Sequence, residues 1–276
     1  MYASRLIGLL LVMAAISGPA RAAETCTPMP GAEAAWARPG VRYILIGETH
    51  GMAETQLAFV DLVCAASASG RPVVVALEQN AEGQAGLDAF LASDGGPAAV
   101  AGLTEALAWR GPTRDGRSSV AALDMLQALR TLKQEGRIVG VTAFLYWTDK
   151  TQAGHEQLMA NGIADAATAH PDALVVGLMG NYHAMKAARP GRDGVAYRLA
   201  ADLLPSDQVV SLYITHRGGS AWFCSQGGCM ARSVLGTQER RPRGVHLSPG
   251  EIEGYDGVLS IGGTVTASPP AESPGS

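Results

Sequence analysis

Apolar positions fall into two patterns along this chain. In short runs they are nearly continuous: 41–47, 73–77, 138–144, 173–179 and 208–215. Runs of that length without polar alternation suit parallel strands buried on both faces. Elsewhere apolar residues recur at helical spacing. Over 52–69 they are Leu57, Val60 and Val63–Cys64. Over 118–135, Leu123, Leu126, Leu129 and Leu132 form a stripe that opens at Ser118 as N-cap and closes at Gly136. Helices are also predicted over 152–169 and 195–204. The stretch 81–117 reads as short helices and loops broken at Gly95-Gly96 and Gly111, and so long an insertion after a strand end commonly walls a pocket. Beyond 215 the texture changes to short strands and turns. Its last strand is at 258–261, and the Pro-, Ser- and Gly-rich 269–276 is an expected disordered tail. Strand–helix alternation predicts an α/β fold, a three-layer sandwich with a central, largely parallel sheet flanked by helices and a β-rich C-terminal part. No repeat or linker divides 23–268, which reads as a single domain.

Composition narrows the class. A hydrophobic content of 47 % supports a sizeable core, while a net charge of −4 with no basic stripe speaks against nucleic-acid binding. The first residues read as a signal peptide: Arg5, an apolar stretch from Leu6 to Ile16, and a small-x-small site at Ala20-Arg21-Ala22. The mature protein is therefore expected in the periplasm or outside the cell, and no later segment suits a membrane span. The 4 cysteines fit an oxidising compartment. Three pairings are possible. The glycines of Cys224-Ser225-Gln226-Gly227-Gly228-Cys229 permit a stapled hairpin, which leaves Cys26 for Cys64.

Chemistry concentrates where the strands stop. The first run ends in Gly47-Glu48-Thr49-His50-Gly51, the second in Glu78, and the fourth in Gly180-Asn181-Tyr182-His183. In open parallel sheets the carboxyl ends of strands carry the site, so two carboxylates and two imidazoles are expected to converge. His50 then reads as a general base activating water, oriented by Glu48 or Glu78, and His183 as the group that polarises a carbonyl or protonates the leaving group. Alternatively, Glu48, His50, Glu78 and His183 hold one divalent ion: zinc, manganese or iron. Asn181 supports the turn or orients His183. His155-Glu156 suggests a zincin helix, but Met159 stands where H-E-x-x-H requires histidine. His155 is then a surface residue on a helix that could approach the cleft. Neither a G-x-S-x-G elbow nor a diagnostic phosphate-binding glycine loop is present.

These motifs, in this order, resemble the erythromycin-esterase-like, ChaN-like and Tiki/TraB superfamily, over roughly 41–271. The G-E-x-H spacing is closer to the ChaN and Tiki side, and Gly254-Tyr255-Asp256-Gly257-Val258 resembles the ends of secreted bacterial members. The resemblance implies either hydrolysis of an ester or amide in a small-molecule or peptide substrate, or metal or haem binding of the ChaN type without catalysis, with an imidazole or Tyr182 facing haem iron. No C-x-x-C-H haem attachment and no lipid anchor accompanies it.

Overall fold

The computed structural model describes residues 26–105, 109, 115–225, 228–237 and 241–271, so the signal-peptide reading lies outside the described residues. The strands are β1 (Tyr43–Glu48), β2 (Val73–Asn80), β3 (Gly140–Leu145), β4 (Leu174–Gly180), β5 (Ala188–Pro190), β6 (Ala196–Arg198), β7 (Val209–Thr215), β8 (Gly219–Ser225), β9 (Gly228–Val234), β10 (Gly244–Leu247) and β11 (Gly257–Ser260). The helices are α1 (Ala53–Ser67), α2 (Gln84–Ala92), α3 (Pro97–Thr104), α4 (Val120–Gln134), α5 (Gln152–Ala169), α6 (Asn181–Ala184) and α7 (Ala200–Leu203). Seven strands share one sheet in the order β10-β11-β7-β1-β4-β2-β3. Every pair in it is parallel except β10 with β11.

Strand alternation sends side chains to two cores, which makes the three layers. Ile44, Ile46, Val73 and Val75 pack with α1, α2 and α4, whereas Tyr43, Leu45, Val74 and Ala76 pack with α5 and α7. The five long apolar runs are thus the five central and flanking parallel strands, as their lack of alternation predicts.

Three local expectations change. Ser119, not Ser118, caps α4, because Asp115 first caps a 3-10 turn over Gly116–Ser118. The expected helix over 195–204 is instead strand β6 followed by the single turn α7; β6 pairs antiparallel with β5, which supplies the partners a helix would have supplied internally. The tail expected from 269 is bonded as far as Ala271. Ala53 N donates to the Thr266 carbonyl, Val120 N to that of Pro269, and Ala121 N to the Ser268 hydroxyl. Those are orphan donors at the starts of α1 and α4, and the strap caps both helices.

Both expected disulfides are present, Cys26–Cys64 and Cys224–Cys229. Among the described residues no helix is long and apolar enough to cross a membrane.

The loop after β1 is locked by close backbone contacts. Gly51 has φ +90°, and a Cβ there would lie 2.3 Å from the Trp222 carbonyl oxygen; a Cβ on Gly116 would lie 1.8 Å from Gly51 N. Three backbones therefore meet where only glycine fits. Gly51→Ala is expected to cost about 1–3 kcal/mol. Urea unfolding of the two proteins checks this, and an unchanged midpoint would refute it.

Candidate functional site

β1, β4 and β2 are neighbours and parallel, so their carboxyl ends lie side by side, with Glu48 registered against Gly180. The chain leaves β1 through α1 on one face and leaves β4 through α6 on the other. That reversal opens a crevice at the strand ends.

Each acidic side chain is held from behind. Glu48, 3 % exposed, accepts from the Thr55 hydroxyl at 2.8 Å and from Gln56 Nε2 at 2.9 and 3.1 Å. Both donors come from the first turn of α1. Its remaining partner is His50 Nδ1, 2.9 Å away. Glu78 sits where β2 carries one residue more than β3 between Leu77 and Asn80, a bulge of the kind that re-aims a side chain beside a site. One Glu78 oxygen accepts from Gly180 N at 2.6 Å, and the other from Arg117 at 2.7 Å. His50 Nε2 stands 3.7 Å from that second oxygen. Asp115 grips the far side of the Arg117 guanidinium at 2.6 Å.

His183 has an equivalent support. Its Nδ1 is 2.7 Å from Glu156, which is 2 % exposed and whose other oxygen accepts from Ala200 N at 2.9 Å. The two imidazoles meet over Gly180. A Cβ there would lie 3.3 Å from His50 Nε2, 3.4 Å from Glu78 Oε2 and 3.5 Å from His183 Cδ2. Glycine keeps the space beside both histidines free of a side chain. An open cleft of about 360 Å³ reaches this spot, lined also by Asn181, Tyr182, Trp222 and Phe223.

Charge is set by the carboxylates. Burial pulls the His50 imidazole down, but Glu78 and Glu48 more than reverse this and hold it at about 10. Burial pushes Glu78 up, and the His50 and Arg117 charges overcome that to hold it well below the carboxylate range. For His183, burial lowers and the hydrogen bond to Glu156 raises, with a net upward shift from the ordinary 6.5. At neutral pH His50 is an imidazolium facing an ionised Glu78.

Much of this donor set is already engaged within the protein: Glu48 accepts from Thr55 and Gln56 and meets His50, Glu78 accepts from Gly180 and Arg117, and each imidazole is bonded through Nδ1. Among the described residues no three His, Cys, Asp or Glu side chains are disposed to hold a metal. Arg117 pairs with Glu78, one of the four residues of the expected ion site, at 2.7 Å. The Tyr182 hydroxyl, the other candidate ligand for haem iron, bonds that of Tyr197 at 2.6 Å.

Glu48, His50, Glu78 and His183 converge as the strand ends suggested. Asn181 reaches toward Thr49 at 3.5 Å. His155 is half-buried rather than on the surface: its ring lies 5.9 Å from His183, with Trp147 stacked against it. Sequence reasoning missed Arg117, Asp115, Thr55, Gln56 and Glu156. Glu156 was visible only inside the failed zincin motif, and its real signal is a carboxylate buried in an alanine-rich helix. Arg117 lies in the irregular stretch 81–117, where no periodicity marks it.

Searched by sequence, the chain matches no protein-family model and no curated protein. By structure it is similar to an erythromycin esterase, EreC, in its open conformation: TM-score 0.60, 11 % identity, covering 86 % of this chain and 93 % of that one. It is also similar to a Bacillus cereus protein, with TM-score 0.59, 11 % identity and coverage of 84 % and 91 %. A third likeness is to a protein described as a succinoglycan biosynthesis protein, with TM-score 0.59, 11 % identity and coverage of 84 % and 90 %. At such identity the likeness is one of fold, and it agrees with the resemblance carried by the strand-end motifs. This chain has the α/β fold of an erythromycin esterase.

Proposed function

We propose that the protein is an exported hydrolase acting on an ester or amide without a bound metal. The observation that carries this reading is the pair of imidazoles, each held through Nδ1 by a buried carboxylate, that face one gap over Gly180 in an open cleft. The leader-like first residues and two disulfides support export.

The charges argue for roles opposite to those the spacing suggests. His50, held at about 10 by two carboxylates, cannot accept a proton at neutral pH; it is suited to donate a hydrogen bond to the developing oxyanion. His183, oriented by Glu156, is the proton acceptor when neutral. Water gives a proton to His183 and its oxygen attacks the carbonyl. The oxyanion forms against the His50 imidazolium, and collapse of the tetrahedral intermediate expels an alkoxide or amine that takes the proton back from His183.

This assignment fixes the pH dependence. His183 must be neutral and its pKa lies above 6.5, so kcat/KM rises through a limb above pH 6.5. His50 must be charged, so activity falls through a limb near pH 10. Screening alkyl and aryl esters and amides, then titrating the best substrate, tests both claims. A bell with those limbs is expected. An optimum below pH 6, or no hydrolysis beyond that of heat-unfolded protein, would overturn the reading.

A further inference from the structure

One wall of the cleft, the hairpin of β8 and β9, stands apart from the central sheet. It forms a separate two-stranded sheet, and β9 is exposed at every position but its last. Two-stranded hairpins are marginal in water unless something else holds them. Here two ties serve. At the base, Ser220 N donates to the Val265 carbonyl and Trp222 N to that of Gly51. At the far end the Cys224–Cys229 bond joins two directly paired positions. Trp222, Phe223 and Cys224, at and between those ties, line the cleft together with His50 and Tyr182. Successive strand side chains face opposite ways, and Phe223 packs against Met52, Ala221 and Val265, so it backs the wall behind Trp222. Tyr182 is 39 % exposed, and its ring is steadied by the hydroxyl contact with Tyr197. Aromatic rings lining the same cleft as the two histidines fit a flat apolar group on the substrate.

Building on the hydrolase reading, we propose that the β8–β9 hairpin is the recognition wall of the cleft. Trp222, backed by Phe223, takes an aryl group of the substrate in the cleft that Tyr182 also lines, and the Cys224–Cys229 bond holds that wall in register with the histidines. The site thereby selects esters or amides with a ring on the leaving-group side of the scissile bond, and does so only in its oxidised form.

Benzyl acetate and ethyl acetate test this, since their alcohols leave with similar ease and only one carries a ring. The oxidised protein is expected to favour benzyl acetate by about 10–100-fold in kcat/KM, the range for burying one phenyl group. The preference is expected to lie in KM. In the double substitution Cys224→Ser/Cys229→Ser, and separately in Trp222→Ala, the ratio should fall to within about threefold of unity. A ratio retained in both variants overturns the proposal, as does a wild-type ratio near one. Loss of both activities in equal proportion, leaving the ratio intact, also counts against it. If the double variant does not fold, Trp222→Ala and Phe223→Ala carry the same comparison. If the wild type hydrolyses neither these nor any other ester or amide of the screen, the hydrolase reading has failed, and the wall is read by quenching of tryptophan fluorescence with benzyl acetate. Saturable quenching in the wild type that is lost in Phe223→Ala sustains the wall; its absence removes it.

Discussion

His183→Gln is expected to lower kcat/KM by about 10²–10⁴-fold, the range for losing a positioned proton acceptor. The glutamine amide can still donate to Glu156, whose 2.7 Å bond to His183 Nδ1 and 2.9 Å bond from Ala200 N anchor this side of the cleft. The fold should therefore survive, and the loss should appear in kcat. The pH profile makes the test specific. If His183 accepts the proton, its replacement removes the limb above pH 6.5, whereas the limb near pH 10 set by His50 stays. His50→Gln should do the reverse. Rate measurements from pH 5 to 11 on both variants decide the matter. An acid limb retained in His183→Gln would return the base role to His50.

Glu78→Gln is expected to be the most destabilising single change in the site, at about 3–5 kcal/mol, because it breaks a buried ion pair from one side. Both Glu78 oxygens accept: one from Gly180 N at 2.6 Å, the other from Arg117 at 2.7 Å. A glutamine must turn its amide NH₂ against one of these donors, and the Arg117 charge is left half-compensated beside Asp115. The pH dependence of stability follows from the signs. Glu78 is depressed in the folded state, so its contribution is present above the ordinary 4.5 and is lost as pH falls toward the folded value. His50 is raised from 6.5 to about 10, so its contribution is complete below pH 6.5 and is lost as pH rises through about 10. Together they favour the folded state most between pH 4.5 and 6.5. In Glu78→Gln the alkaline decline should shrink, since His50 loses its strongest raising partner. Urea unfolding at pH 6 and pH 10 measures both effects. A cost below about 1 kcal/mol, or an undiminished alkaline decline, would show that Glu78 is not the group that holds His50 charged.

How much was legible depended on whether a residue's role is local. Continuous apolar runs such as 173–179 can be satisfied only by burial on both faces, so β1, β2, β3, β4 and β7 follow from pattern alone. The helical spacing of Leu126, Leu129 and Leu132 likewise specifies α4. Where two elements compete for similar residues, pattern fails: 195–204 became β6 and a single turn because β5 lay across from it. The strap at 266–271 is held by donors at the starts of α1 and α4, distant in sequence.

The same division runs through the site. By itself the sequence placed Glu48, His50, Glu78 and His183 at or near strand ends, because strand ends are set by where apolar runs stop. It also suggested the Cys224–Cys229 staple, by the shortness of one loop, which left Cys26 for Cys64. Only the tertiary structure decided how those groups are charged and therefore what each can do. Arg117, brought from the irregular stretch to within 2.7 Å of Glu78, pairs that carboxylate with a fixed positive charge. Glu156, set on a helix 27 residues before His183, turns that histidine toward the cleft. A proton's preferred site depends on every charge within a few ångströms, and such neighbours come together only when the chain folds.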